Sequence, residues 1–266
     1  MDLQLSGKRA FVTGGSAGIG LAVARRLRSE DAVVTVCGRD SSRLEQAVAM
    51  LGGPGKAWGI PADVTDTQAL TAAVEGAADR MGGLDLLVAN AGGSVGGDLL
   101  DSTPEDWMAT FALNVLHSAH AIRVAVPHLR RDDGGAVVIV ASITGWKPGP
   151  RASYAAAKAA EIHLASVLAQ ELAPYRIRVN AVSPGSTYFA GGGWERFSQR
   201  DPDLFAAFAR DEFPAGRLLD PDDVADVICF MLSQRAKAIN GAHIAADAGQ
   251  GRPTARRFSR GTGRDS

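Results

Sequence analysis

Three residues near the middle of the chain have the types and spacing for proton chemistry. Ser142 follows the apolar run 136–141, and twelve residues later Tyr154 is followed, four positions on, by Lys158 in YAAAK. If that segment is helical, Tyr154 and Lys158 share one face. A phenol has an ordinary pKa near ~10 and exchanges protons poorly at neutral pH, so an ammonium beside it favours the useful phenolate. Ser142 would hydrogen-bond a substrate oxygen. Such a set needs a cleft and a reaction partner, and other parts of the chain point to both.

The first apolar run leads into Thr13-Gly14-Gly15-Ser16-Ala17-Gly18-Ile19-Gly20 and then LAVARRLRSE. Glycines at that point let the chain turn sharply off a strand and let its backbone approach a pyrophosphate. The helix that follows offers free N–H groups and the positive end of its dipole. A glycine loop placed between a first strand and a first helix is a dinucleotide-binding pattern, with Gly14, Ser16, Gly18, Ile19 and Gly20 as contacts. A positively charged nicotinamide would add a second cation beside Tyr154. Moving the phenol to about pH 7 takes about 4 kcal/mol, within reach of two cations in a dry cleft.

The end of the second strand should meet the adenosine ribose. An Asp or Glu there would accept the ribose hydroxyls and repel a 2′-phosphate, but the chain has Cys37-Gly38-Arg39-Asp40. Arg39 can pair with a phosphate, so NADP(H) is the expected cofactor and NAD(H) the alternative. Asp40 is either an opposing charge or the cap of the next helix, and the glycine loop carries no second basic residue. Asp63 and Val64 follow the third strand, where a carboxylate could accept from the adenine amino group. Asn90, Ala91 and Gly92 follow the fourth, giving a tight turn beside the cofactor.

The elements that must position these groups alternate along the chain. Strand-like runs lie at 9–13, 32–37, 57–60, 84–89, 136–141, 177–182 and 242–245, with helical patterns at 18–29, 41–51, 66–80, 104–129, 153–172 and 221–232. Several strands are apolar throughout, as in sheets covered on both faces. The fold expected is α/β: a single-domain, doubly wound parallel sheet, Rossmann-like, with helices on both faces. The domain spans 1–266, with a core at about 6–251 and a basic flexible tail at 252–266. Segment 184–216 breaks the rhythm: it carries Gly191–Gly193 among Tyr188, Phe189, Trp194 and Phe197, and reads as a surface excursion with its own small core or as a mobile lid.

Taken in order, TGGSAGIG, Asn90-Ala91-Gly92, Asn114 in FALNV, Ser142, YAAAK and Ser183-Pro184-Gly185 resemble the short-chain dehydrogenase/reductase family, including its 3-oxoacyl-ACP-reductase-like members, over roughly residues 6–251. The resemblance implies that Tyr154 is the general acid/base and that Ser142 orients the substrate. It implies that Lys158 holds the nicotinamide ribose and lowers the tyrosine pKa, and that Asn114 anchors a water relaying protons to solvent. Pro184, Gly185 and Thr187 would lie against the nicotinamide. The chain departs from the family pattern at Ala89, where a second Asn is usual, and at Phe189, where a threonine is usual, which leaves Thr187 as the nearest candidate for the carboxamide. The implied activity interconverts a ketone and a secondary alcohol. A nucleotide-sensing protein without turnover, and a dehydratase or epimerase, are the alternatives. By the same resemblance, helices 104–129 and 153–172 form an interface of a homotetramer.

Composition narrows the classes further. With 46% hydrophobic and 21% charged residues, the 266-residue chain has a globular composition, and its net charge of −1 lacks the basic excess of a nucleic-acid binder. Five arginines and one aspartate give residues 251–266 a local charge of +4. Cys37 and Cys229 read as buried thiols, and His117 and His120, spaced like a metal pair but without a third ligand, read as packed helix residues. No bound metal is expected. No apolar run reaches the ~18 residues of a membrane span, so a cytoplasmic protein with no membrane partner is expected. The substrate pocket should be walled by 93–99, 143–150 and 188–197, with Trp146 and Trp194 as aromatic candidates and Lys147 and Arg151 nearby.

Overall fold

Alternate residues of the central strands face opposite ways and are apolar on both sides. Val12, Val88 and Val138 enter one core, while Phe11, Leu87, Val137 and Ile139 enter the other. In the computed structural model, which describes residues 2–131 and 134–251, these strands form one seven-stranded parallel sheet. The strands are β1 (Arg9–Thr13), β2 (Val33–Gly38), β3 (Ala57–Pro61), β4 (Leu86–Ala89), β5 (Ala136–Val140), β6 (Arg178–Pro184) and β7 (His243–Ala246). Their order is β3-β2-β1-β4-β5-β6-β7, so the winding reverses between β1 and β4. Such a reversal opens a crevice at the strands' C-terminal ends. The predicted tail at 252–266 lies outside the described residues.

The helices are α1 (Gly18–Ser29), α2 (Ser41–Met50), α3 (Thr67–Met81), α4 (Pro104–Phe111), α5 (His117–Leu129), α6 (Ala152–Glu171), α7 (Gly193–Arg200), α8 (Pro202–Glu212) and α9 (Pro221–Leu232). Buried residues of α1 and α9, such as Leu27 and Ile228, fill one core; those of α3, α5 and α6, such as Leu70, Ile122 and Ala165, fill the other. The expected doubly wound, Rossmann-like sheet is what forms. Among the described residues no helix is long and apolar enough to cross a membrane. Cys37 and Cys229 are free and buried, and burial pushes both thiols up to about 12.

Several expected boundaries shift, each for a local reason. The strand read at 84–89 is regular over Leu86–Ala89, and Asp85 leads into it with backbone bonds to both neighbours, its N donating to the Arg9 carbonyl at 2.9 Å and its carbonyl accepting from Ala136 N at 3.0 Å. The Asp85 carboxylate also grips Arg9, accepting from its backbone N at 2.8 Å, its Nε at 2.8 Å and its Nη2 at 2.9 Å. The helix read as continuous over 104–129 is interrupted by a π-helical turn at Ala112–Leu116. There Asn114 Nδ2 donates to the Thr110 carbonyl at 2.6 Å and Ser118 Oγ donates to the Asn114 carbonyl at 2.8 Å, so side chains take acceptors that a regular ladder would use. Segment 184–216 folds into α7 and α8. Trp194 stacks on Phe208 with centroids 4.7 Å apart, and Phe197, Phe205 and Phe213 complete an aromatic cluster that gives the excursion its own small core.

Candidate active site

The C-terminal ends of β1 to β6 open onto a cleft of about 790 Å³, within the usual size of cofactor and small-molecule sites. At its centre the loop after β1 turns into α1. Gly18 sits at φ +53°, and a Cβ there would lie 2.8 Å from the Phe189 ring. Gly20 is packed tighter still, since its Cβ would stand 2.4 Å from the Gly14 carbonyl. Gly20 therefore packs the loop and does not line the cleft, whereas Gly14, Ser16, Gly18 and Ile19 do. The N-cap of α1 is Ala17, whose side chain caps nothing, and the first turn holds no acid. An uncapped helix start facing a cleft suits the anionic pyrophosphate of a dinucleotide.

Asn90 ties this loop to β4. Its Nδ2 donates to the Thr13 carbonyl at 2.9 Å, while Thr13 Oγ1 accepts from the backbone N of Asn90 at 2.9 Å and of Ala91 at 3.0 Å. Asn90, Ala91 and Gly92 all line the cleft.

One end of the cleft is lined by Gly38, Arg39, Asp40, Arg43, Asp63 and Val64. Asp40 caps α2, its Oδ1 accepting from Arg43 N at 3.0 Å. Arg43, in the first turn of α2, is a second guanidinium at this edge that the sequence reading missed, because only the turn of the helix brings it beside Arg39. Asp63 Oδ1 accepts from the Thr65 backbone N at 2.9 Å and from Thr65 Oγ1 at 2.7 Å, and these bonds, with the charge of Arg39 nearby, hold its carboxyl below the usual range. Two cations beside a small Gly38 fit a phosphorylated ribose.

At the other end, Ser142 follows β5. Its Oγ accepts from Thr144 N at 3.2 Å and from Thr144 Oγ1 at 3.1 Å, which leaves its own proton to donate into the cleft. Tyr154 and Lys158 share a face of α6, with Lys158 Nζ 5.6 Å from the Tyr154 ring centroid. Lys158 is buried and donates to the Val140 carbonyl at 2.9 Å and to Glu161 Oε2 at 2.7 Å. Burial opposes its charge, but Glu161 and Tyr154 outweigh burial and the ammonium pKa is raised. Glu161 escaped the sequence reading too. Its one signal was a carboxylate three residues after the lysine in an alanine-rich run.

Asn114 does not line the cleft. It is wholly buried behind the wall, where Nδ2 donates to the Gly93 carbonyl at 2.7 Å and Oδ1 accepts from Gly93 N at 3.2 Å. Gly92 is required at this crossing, since a Cβ would stand 2.7 Å from Asn114 Oδ1 and 3.0 Å from Lys158 Nζ. Pro184, Gly185 and Thr187 line the cleft, with Thr187 Oγ1 donating to the Gly185 carbonyl at 3.0 Å.

Of the expected substrate walls, Gly93, Ser94, Ile143, Thr144, Pro150, Phe189 and Trp194 take part, as does Arg151, whose Nη1 donates to Ser94 Oγ at 2.5 Å. Trp146 and Lys147 do not. Lys147 pairs with Asp247 at 3.1 Å and lies 4.5 Å from the Trp146 ring, which packs against His243, so both turn toward the end of β7. His117 and His120 serve separate neighbours. His117 Nε2 is 3.3 Å from Thr13 Oγ1, and burial lowers its imidazole to about 4; His120 Nε2 is 2.8 Å from Thr71 Oγ1. The described residues hold no group of three potential metal ligands.

Comparisons with known proteins agree with this geometry. Residues 8–198 match the short chain dehydrogenase family. The chain is 36% identical over 250 residues to dehydrogenase/reductase SDR family member 4 of Mus musculus, covering 92% of this chain and 88% of the relative. The solved L-sorbose reductase of Gluconobacter frateurii, complexed with NADPH and L-sorbose, superposes with a TM-score of 0.88 at 29% identity, covering 96% of this chain and all (100%) of the other. An NADPH-bound short chain oxidoreductase of Pseudomonas aeruginosa, described as containing an atypical catalytic center, gives a TM-score of 0.85 at 32% identity over 92% of this chain and 97% of that one. With its reversed parallel sheet, uncapped glycine loop and Ser–Tyr–Lys wall, the chain belongs to the short-chain dehydrogenase/reductase family of nicotinamide-dependent oxidoreductases.

Proposed function

We infer that the protein is an NADP(H)-preferring oxidoreductase that interconverts a ketone and a secondary alcohol, working as one dinucleotide-binding and catalytic domain. The observation that carries this reading is the shared cleft: Ser142, Tyr154 and Lys158 line one end, and Arg39 and Arg43 line the other. Arg39 and Arg43 hold the 2′-phosphate, the start of α1 holds the pyrophosphate, and Asp63 and Val64 flank the adenine. Pro184, Gly185 and Thr187 flank the nicotinamide, which when bound supplies or takes the hydride at the substrate carbon. In reduction Tyr154 donates its phenolic proton to the carbonyl oxygen; in oxidation it takes the proton back. Ser142, with both lone pairs engaged by Thr144, donates to the same oxygen. Lys158 holds the ribose and attracts the phenolate. Asn114 braces the Gly93 turn that borders the substrate. The walls of Ile143, Pro150, Phe189 and Trp194 favour a medium or bulky, mostly apolar carbonyl compound.

A panel of ketones and secondary alcohols assayed with both cofactors, followed by nicotinamide absorbance, tests this directly. Turnover of some pair with NADP(H) supports it, and no turnover with either cofactor across the panel refutes it. The same reading makes the enzyme a homotetramer in which the segment from α4 through the π-helical turn to α5, together with α6, forms one dimer interface; Met108 and Leu116 there are each 62% exposed and Val167 is 40% exposed. Light scattering that finds a monomer at micromolar concentration contradicts that assembly.

A further inference from the structure

The proton and hydride exchange described above needs an ammonium at Lys158 but no carboxylate beneath it, yet Glu161 is there. It is completely buried in α6, with Oε2 2.7 Å from Lys158 Nζ and Oε1 3.1 Å from Ser118 Oγ. The Ser118 hydroxyl also reaches the Asn114 carbonyl at 2.8 Å, so the pair is braced against the π-helical turn. A buried ion pair is costly to desolvate, and apolar side chains of similar volume usually stabilise a core as well or better. The pair is therefore better explained by charge than by packing.

We propose that Glu161 is the positioning residue that keeps Lys158 protonated and aimed at the cofactor ribose and Tyr154. This rests on the role given to Lys158 above. Every element around Lys158 supports it. From α6 come Glu161 and Tyr154. From α5 come Ser118, which is uncharged, and His117, whose imidazole is neutral above about pH 4 because burial lowers it. From β5 comes only the Val140 carbonyl, and from the loop after β4 only the backbone at Gly92. Burial pushes the lysine toward its neutral form, and the Glu161 carboxylate is the ion-pair partner that reverses this. Burial also raises the Glu161 carboxyl, against the pull of Lys158 and Ser118, so each member of the pair depends on the other for its charge.

The test reads the lysine itself. Lys158 is one of five lysines in the chain, so its Nζ can be followed by NMR in protein with isotope-labelled lysine, with Lys158→Arg used only to assign the signal. Lys158 should stay an ammonium across the alkaline range in the unsubstituted protein, and its titration should move down by at least ~2 pH units in Glu161→Gln. The alkaline limb of kcat/KM should move down by the same amount in Glu161→Gln, and KM for NADPH should rise over that range. Glu161→Asp keeps the charge on a shorter arm and should show a smaller shift in both readouts; it also serves if Glu161→Gln does not fold. A lysine titration and pH profile unchanged in either folded variant overturns the proposal, because a purely structural residue would lower stability without moving them. If the unsubstituted protein turns over no carbonyl compound, the proposed function fails while the NMR titration still decides the role of Glu161.

Discussion

Replacing Arg39 by Ala should weaken NADPH binding and leave NADH binding nearly unchanged. A hydrogen bond to a charged group contributes roughly 1.5–3 kcal/mol, and exposed charges fall at or below the low end because water screens them. Arg39 is exposed, and Arg43 is partly engaged by Asp40, with Nε 3.4 Å from Oδ2. A loss of about 1.5 kcal/mol for Arg39→Ala is about tenfold in NADPH affinity, and Arg43→Ala should cost a few-fold. On the proposed binding mode the two guanidiniums share one phosphate, so the double variant should lose less than the product of the single effects. Raising ionic strength should shrink the NADPH preference, since both cations are solvated. At Gly38, an added Cβ would stand 3.1 Å from Ser16 Oγ, a flexible neighbour that can give. Gly38→Asp should therefore fold, repel the 2′-phosphate and invert the preference. The assay is fluorescence titration of each variant with NADPH and NADH across a salt series. Equal weakening of both cofactors in Arg39→Ala, or tighter binding of NADH by the unsubstituted protein, refutes this assignment of the adenosine end.

Other parts of the fold give separate expectations. Arg178 caps the end of α9, Nη1 donating to the Met231 carbonyl at 2.9 Å and Nη2 to the Ser233 carbonyl at 3.0 Å, with further bonds to Leu232 and Ile239. Arg178→Ala should cost about 2–4 kcal/mol in urea unfolding, because several carbonyls lose their donor together. Burial opposes the charge of Asp85, but the side-chain and backbone bonds from Arg9 outweigh it and hold its carboxyl below the usual range. A depressed folded pKa means that the stabilisation is complete above the unfolded value near ~3.9 and is lost as pH falls through the folded value. Asp85→Asn should lower stability at neutral pH and flatten its decline below pH about 4; an acid limb identical to the parent's would exclude Asp85 as a contributor.

What the sequence disclosed follows from how local each feature is. The glycine loop and the four-residue spacing of Tyr154 and Lys158 act through neighbours in the chain, and the helices that carry them form where the sequence placed them; the starts of α4 and α9 are likewise local, each a capping box ahead of a proline, at Thr103 and Asp220. The apolar strands announced a sheet covered on both faces because both side-chain sets had to be buried. The π-helical turn was hidden because it depends on Asn114 meeting Gly93 from a different segment. Trp146 lay close to Ser142 in sequence, yet the contact between Lys147 and Asp247, a hundred residues on, turns it away. Arg43 and Glu161 were passed over for a related reason: a charged residue in a helix reads as solvated until the fold shows what it faces.

The most direct measurement is the turnover of Tyr154→Phe beside its NADPH affinity. That substitution removes the phenolic oxygen and leaves the ring over which Lys158 lies, with Nζ 5.6 Å from the centroid. A positioned general acid contributes typically ~10²–10⁴-fold. Loss of kcat by at least about 10²-fold with an NADPH Kd within a few-fold of the parent is the result expected. Turnover within a few-fold of the parent would remove Tyr154 from the proton transfer and with it the chemistry assigned to this cleft.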